Sequence, residues 1–93
     1  MTVLAEDTFY AGLKRISDKT ITDRVGSAIK KLESANNLRD VAGIKAMQGY
    51  TGYYRMRVGD WRIGFSLEVD DSIILLKIGP RGEFYKYFPK NYA

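Results

Sequence analysis

The segment "YYRMRVGDWRIGF", Tyr53 to Phe65, constrains the fold of this chain more than any other. On both sides of Gly59-Asp60, large apolar residues alternate with arginines and small residues, the period of a half-buried β-strand. Gly59-Asp60 suits a two-residue hairpin turn, because glycine accepts the positive φ such turns need. Counting outward from that loop pairs Val58 with Trp61, Arg57 with Arg62, Met56 with Ile63, Arg55 with Gly64 and Tyr54 with Phe65. The apolar side chains of both strands then share one face, and Arg55, Arg57 and Arg62 share the other. A slip of one residue would destroy this match, so the register is well specified.

A third strand is expected in "SIILLKIGPR", after a turn at Asp70-Asp71. Continued counting pairs Leu67 with Ile74, Phe65 with Leu76, Ile63 with Ile78, Gly64 with Lys77 and Arg62 with Gly79, and it puts Arg81 on the arginine side. Pro80 twists or ends this strand. "GEFYKYFP" reads as a further aromatic segment, an edge strand. Upstream the period is helical. Phe9, Leu13 and Ile16 form one stripe over Asp7 to Ile16. Thr20 with Asp23 resembles a capping box, opening a second helix whose face is Ile21, Val25, Ala28, Ile29 and Leu32. "SANN" ends it, since Asn tolerates the left-handed conformation. The short polar connection makes the two helices an antiparallel hairpin. A short strand is expected near Ile44 to Met47. The fold class is α+β: two N-terminal helices packed as a hairpin on one face of a small, mainly antiparallel sheet of three to five strands, one domain over residues 1–93.

Composition narrows the chemistry. There is no cysteine and no histidine among the 93 residues. That removes thiolate chemistry, the commonest acid/base and the usual zinc ligands, so neither metal nor cofactor is implied. No apolar run approaches the ~18 residues of a membrane span, and "MTVLAEDTFY" does not read as a signal peptide, so a cytoplasmic location is expected. The formal net charge is +4. An exposed sheet face is ordinarily just polar. Here, however, Glu68 is the sole acid on that side of the second strand, and Arg57 is set opposite Arg62. Like charges directly opposite cost roughly 0.2–1 kcal/mol, and such uncompensated conflicts mark functional sites. Arginines beside tyrosines suit phosphate and base recognition, which makes Arg55, Arg57, Lys77 and Tyr53 candidate RNA-binding residues. RNA supplies its own nucleophile, the 2′-hydroxyl. Arg55, Arg57, Arg62, Arg81 and Tyr85 are then the candidate catalytic groups, acting chiefly by positioning and charge stabilisation.

These residues carry a resemblance. Two helices, "YYRMRVGDWRIGF" and "IILLKIGPRGEFYKYFP" together resemble the RelE/ParE superfamily of bacterial and archaeal type II toxins over nearly the whole chain. The RelE-like branch implies a metal-independent, ribosome-dependent endoribonuclease. It cuts mRNA in the ribosomal A site and is held off by a cognate antitoxin in a toxin–antitoxin hetero-oligomer, with no membrane partner. By position, the resemblance implies that Arg55 and Arg57 bind RNA and assist proton transfer, that Arg62 stabilises the phosphate, and that Arg81 serves the leaving group. Tyr85 matches the tyrosine that orients the 2′-hydroxyl. Arginine stands at 55 and 57 where the family commonly has lysine, and "IGPRGE" has Pro80 but no histidine. The alternatives are a ParE-like toxin that inhibits gyrase without nuclease activity, and a non-catalytic RNA-binding module.

Overall fold

The tyrosine-arginine hairpin forms the centre of a five-stranded sheet. The computed structural model describes all residues, 1–93. In chain order the elements are β1 Val3–Ala5, α1 Asp7–Lys14, α2 Lys19–Ser34, a 3-10 turn Leu38–Asp40, β2 Ile44–Ala46, β3 Tyr53–Val58, β4 Trp61–Leu67, β5 Ile73–Pro80 and α3 Arg81–Tyr87. The β3–β4 register is the one counted from the sequence: Val58 meets Trp61, Arg57 meets Arg62, and so to Tyr54 with Phe65. Gly59 takes the positive φ, +59°, that the turn requires.

The core lies between the sheet and the α1–α2 hairpin. It holds Phe9, Ile16, Val25 and Leu32 from the helical layer against Met56, Val58, Ile63 and Phe65 from the hairpin and Ile73, Leu75 and Ile78 from β5. Trp61 is half-buried at its edge. Asp18, rather than Thr20, caps α2: its carboxylate accepts from the Thr20 amide at 2.8 Å. The helix ends with Ala35 in extended backbone, and no asparagine there is left-handed. Asn37 instead caps the 3-10 turn through the Arg39 amide. At the β4–β5 turn, the Ser72 hydroxyl and amide donate to Asp70, which holds that carboxyl below its usual range.

Two further expectations are corrected. The pairing of β4 with β5 holds for Arg62–Gly79, Ile63–Ile78 and Gly64–Lys77, then shifts, so that Phe65 meets Leu75 and Leu67 meets Ile73. The bulge turns Ile73 and Leu75 inward, and both are almost fully buried. "IILL" has no alternation, so its pattern could not fix the register. Second, "RGEFYKY" is helix α3 rather than an edge strand. Phe84 and Phe88 fit period two and the i, i+4 spacing of a helix equally well, and the helical choice buries both. The sheet order is β1-β5-β4-β3-β2; three of its four pairings are antiparallel, as expected of a mainly antiparallel sheet, and β1 alone pairs in parallel, with β5. No helix is long and apolar enough to cross a membrane.

Candidate nucleic-acid interface

The sheet face opposite the core carries cations in rows. Arg57, Arg62 and Gly79 form the row nearest the β3–β4 turn. The next row runs Lys45, Arg55, Gly64, Lys77. Lys45 was not among the sequence candidates; a short strand was expected there, but the irregular connection over residues 47–52 gives no turn to count from, and only the pairing of β2 with β3 sets Lys45 opposite Arg55. Two like-charge pairs therefore stand directly opposite each other, Arg57–Arg62 and Lys45–Arg55, where such pairs are unfavourable. No acid neutralises either. The one salt bridge in the protein, Lys19–Asp23 at 3.0 Å, lies on the exposed surface of α2. Glu68 is occupied by the Ser66 hydroxyl at 2.9 Å.

The cations are held in different ways. Arg62 is buried, 7% exposed. Its Nη1 donates to the Gly59 and Trp61 carbonyls at 2.9 and 3.0 Å, while its buried Nε has no acceptor. A buried donor without a partner costs on the order of 1–3 kcal/mol, more when charged. Arg55 is half-buried and donates from Nη1 to the Gly43 carbonyl at 2.6 Å. Arg57 is exposed and makes no hydrogen bond through its side chain. Lys77 Nζ lies 5.1 Å from the centre of the Tyr87 ring, a cation–π contact. Arg81 opens α3, and its amide donates to the Asp60 carbonyl at 2.8 Å, docking that helix on the turn. Arg81 and Tyr85 are i, i+4 on α3 and so share one side of it; Tyr85 is exposed, 44%.

The rest of this face is covered. Phe88 packs over Gly64, and with Phe84, Tyr53 and Tyr92 it forms a small second aromatic layer. Tyr53 donates its hydroxyl to the Tyr92 carbonyl at 2.9 Å, which ties it to the C-terminal segment. An open arginine face was the expectation; the structure leaves Arg57 and, at the β2 edge, Lys45 exposed, while Arg62 is buried.

The model for "ParE toxin of type II toxin-antitoxin system" matches residues 4–85. The chain is 38% identical over 90 residues to Toxin RelE3 of Methanocaldococcus jannaschii, covering 96% of this chain and all of the relative. The chain belongs to the RelE/ParE superfamily of toxins. The fold of this toxin agrees. The crystal structure of the RelB-RelE antitoxin-toxin complex from Methanococcus jannaschii superposes with a TM-score of 0.78 at 35% identity, covering 92% of this chain and 99% of that one. The archaeal RelE-RelB complex from Pyrococcus horikoshii gives 0.71 at 26% identity, over 89% and 97%.

The two facing arginines of this toxin differ in a way that can be measured. Arg57 is exposed and unpaired, so its charge only repels. Arg57→Thr should leave the fold as stable or up to ~1 kcal/mol more stable, threonine being a good exposed strand residue. Urea melts check this; a clear loss would mean that Arg57 serves the fold. Arg62 also ties down the turn, so Arg62→Thr should not share that gain.

Proposed function

We propose that this toxin is an endoribonuclease that cuts mRNA in the ribosomal A site, and that it acts in the cytoplasm without a metal. The observation that carries this reading is the pair of unneutralised cation rows, in which the buried Arg62 keeps an Nε without an acceptor. Once RNA entry uncovers that side of the guanidinium, a phosphodiester oxygen would supply the acceptor and the missing negative charge. The 2′-oxygen attacks the adjacent phosphorus and the bond to the 5′-oxygen breaks. The products are a 2′,3′-cyclic phosphate and a free 5′-hydroxyl. Arg62 stabilises the charge that builds on the phosphorane. Arg55 and Arg57 hold the RNA backbone and assist the proton transfers, Arg81 serves the leaving oxygen, and Tyr85 orients the 2′-hydroxyl. Lys45 extends the backbone track on the side of Arg55. An antitoxin, the partner of both archaeal relatives in their complexes, would cover this face and keep the toxin inactive.

The family description names ParE, which favours a second reading, gyrase inhibition without nuclease activity. One experiment separates them. The toxin is added to a cell-free translation system and mRNA 3′ ends are mapped, while gyrase is assayed for trapped DNA breaks. Codon-phased cuts ending in cyclic phosphate are expected; intact message with trapped breaks would sink the nuclease reading. Tyr85→Phe removes one exposed hydroxyl and leaves the ring, so the fold should survive. Single-turnover cleavage of ribosome-bound message should fall by ~10²-fold. An unchanged rate would reduce Tyr85 to a packing residue.

A further inference from the structure

Three arginines from three elements reach the Gly59-Asp60 turn, two by their side chains and Arg81 by its backbone amide. Arg62 of β4 donates to the Gly59 carbonyl, and the Arg81 amide at the start of α3 donates to the Asp60 carbonyl. The third is Arg24 of α2, distant in sequence: a Cβ built on Gly59 would lie 2.9 Å from Arg24 Nη1. Arg24 thus borders the turn and lines a cleft of about 450 Å³ between α2 and the end of β3. Its rim carries the exposed cations Arg24, Lys31 and Arg57; its floor includes the buried Val41, Met56 and Val58. Asp23 also lines it, but its carboxylate is bound to Lys19 at 3.0 Å. Neither Arg24 nor Lys31 has a carboxylate partner.

We infer that this cleft is a second RNA subsite, which holds a nucleotide flanking the cut. The inference rests on the nuclease reading and extends it. Arg57 belongs to both surfaces: it faces Arg62 on the sheet and borders the cleft. A strand whose scissile phosphate lies at Arg62 can therefore pass Arg57 and enter between the helix and the turn. The chemistry of the cleft fits one nucleotide unit, with cations at the rim for phosphate and an aliphatic floor against which a base can pack. The volume falls in the usual range of small-molecule sites, roughly 300–1,000 Å³. The rim cations continue the cation row of the sheet through Arg57, on the path of a strand held at Arg62, so RNA is the favoured occupant.

The test is binding of a short fluorescent oligouridylate by the purified toxin across a salt series. Arg24→Gln with Lys31→Gln should weaken binding about tenfold and flatten the slope of log affinity against log salt by about 0.7 per lost phosphate contact. The charge-preserving Arg24→Lys with Lys31→Arg should restore both, which separates a charge role from a fold defect. If the glutamine pair leaves affinity and slope unchanged while Arg57→Thr lowers them, the subsite is wrong and the nuclease reading stands. If polyglutamate competes as well as the oligouridylate and depends equally on Arg24 and Lys31, the cleft is a site for acidic peptide and the proposal also falls. A wild-type toxin that neither binds RNA nor cuts ribosome-bound message fails at the earlier step, the proposed function itself.

Discussion

Arg62→Gln is expected to lower single-turnover cleavage of ribosome-bound message by ~10²–10³-fold, the loss typical of removing one preorganised donor from a developing oxyanion. Most of the guanidinium of Arg62 is already positioned before RNA arrives. Nη1 is fixed by the Gly59 and Trp61 carbonyls, and Nε is buried with no acceptor. The Nη1 end therefore needs no reorganisation, and only the cover over Nε has to move before charge builds on the phosphate. Glutamine keeps polarity and some length but loses the charge and the planar fork. Arg62→Lys restores the charge alone, and it should recover only part of the rate because an ammonium cannot hold the turn carbonyls and a phosphate in one plane. Stability has to be followed alongside. Hydrogen bonds to a charged group are worth ~1.5–3 kcal/mol, partly offset here by relief of the repulsion from Arg57. Rates are therefore compared at equal folded fraction, set by urea melts. A loss below about tenfold at full folding would make Arg62 a turn-holding residue and move the chemistry elsewhere.

What the sequence displayed and what it hid follow from the range of the interactions involved. The β3–β4 hairpin was legible because a two-residue turn and strict alternation act locally, and every predicted pair is present. The conflict between Arg57 and Arg62 could be read from the same count. Past Gly64 the alternation stops at "IILL", and burial of Ile73 and Leu75 decided the register through a bulge that no local signal announced. The three residues of β1 carry too little pattern to be seen, and they exist as a strand through parallel pairing with β5, far away in sequence. Arg24 and Lys45 reach the basic region only through tertiary placement of α2 and through the pairing of β2. α3 is the instructive failure. Its aromatic residues satisfied both periods, and the deciding partner was a glycine on another strand.

That glycine sets the second large effect. Gly64→Ala is expected to destabilise the toxin by ~1–3 kcal/mol, although alanine in place of glycine ordinarily favours a strand by roughly 0.5–1 kcal/mol. A Cβ on Gly64 would meet Phe88 ring atoms at 2.6–2.7 Å, well inside any real carbon contact. The ring cannot swing away at low cost. It is 1% exposed, with Phe84 at 5.0 Å, Tyr92 at 5.7 Å and Tyr53 at 6.2 Å between ring centres. The C-terminal segment must therefore lift as a unit, and that displaces α3 with Arg81 and Tyr85. Cleavage should fall together with stability, even though Gly64 has no side chain to touch RNA. A double-mutant cycle isolates the cause. Phe88→Ala alone should cost ~3–5 kcal/mol as a buried aromatic, but in that background Gly64→Ala should cost nothing or stabilise, which gives a coupling of at least ~1 kcal/mol. If Gly64→Ala instead raises the urea midpoint in the wild-type background, Phe88 is not seated on Gly64. The aromatic layer would then be free to leave the basic face, and the position of Tyr85 would no longer depend on it.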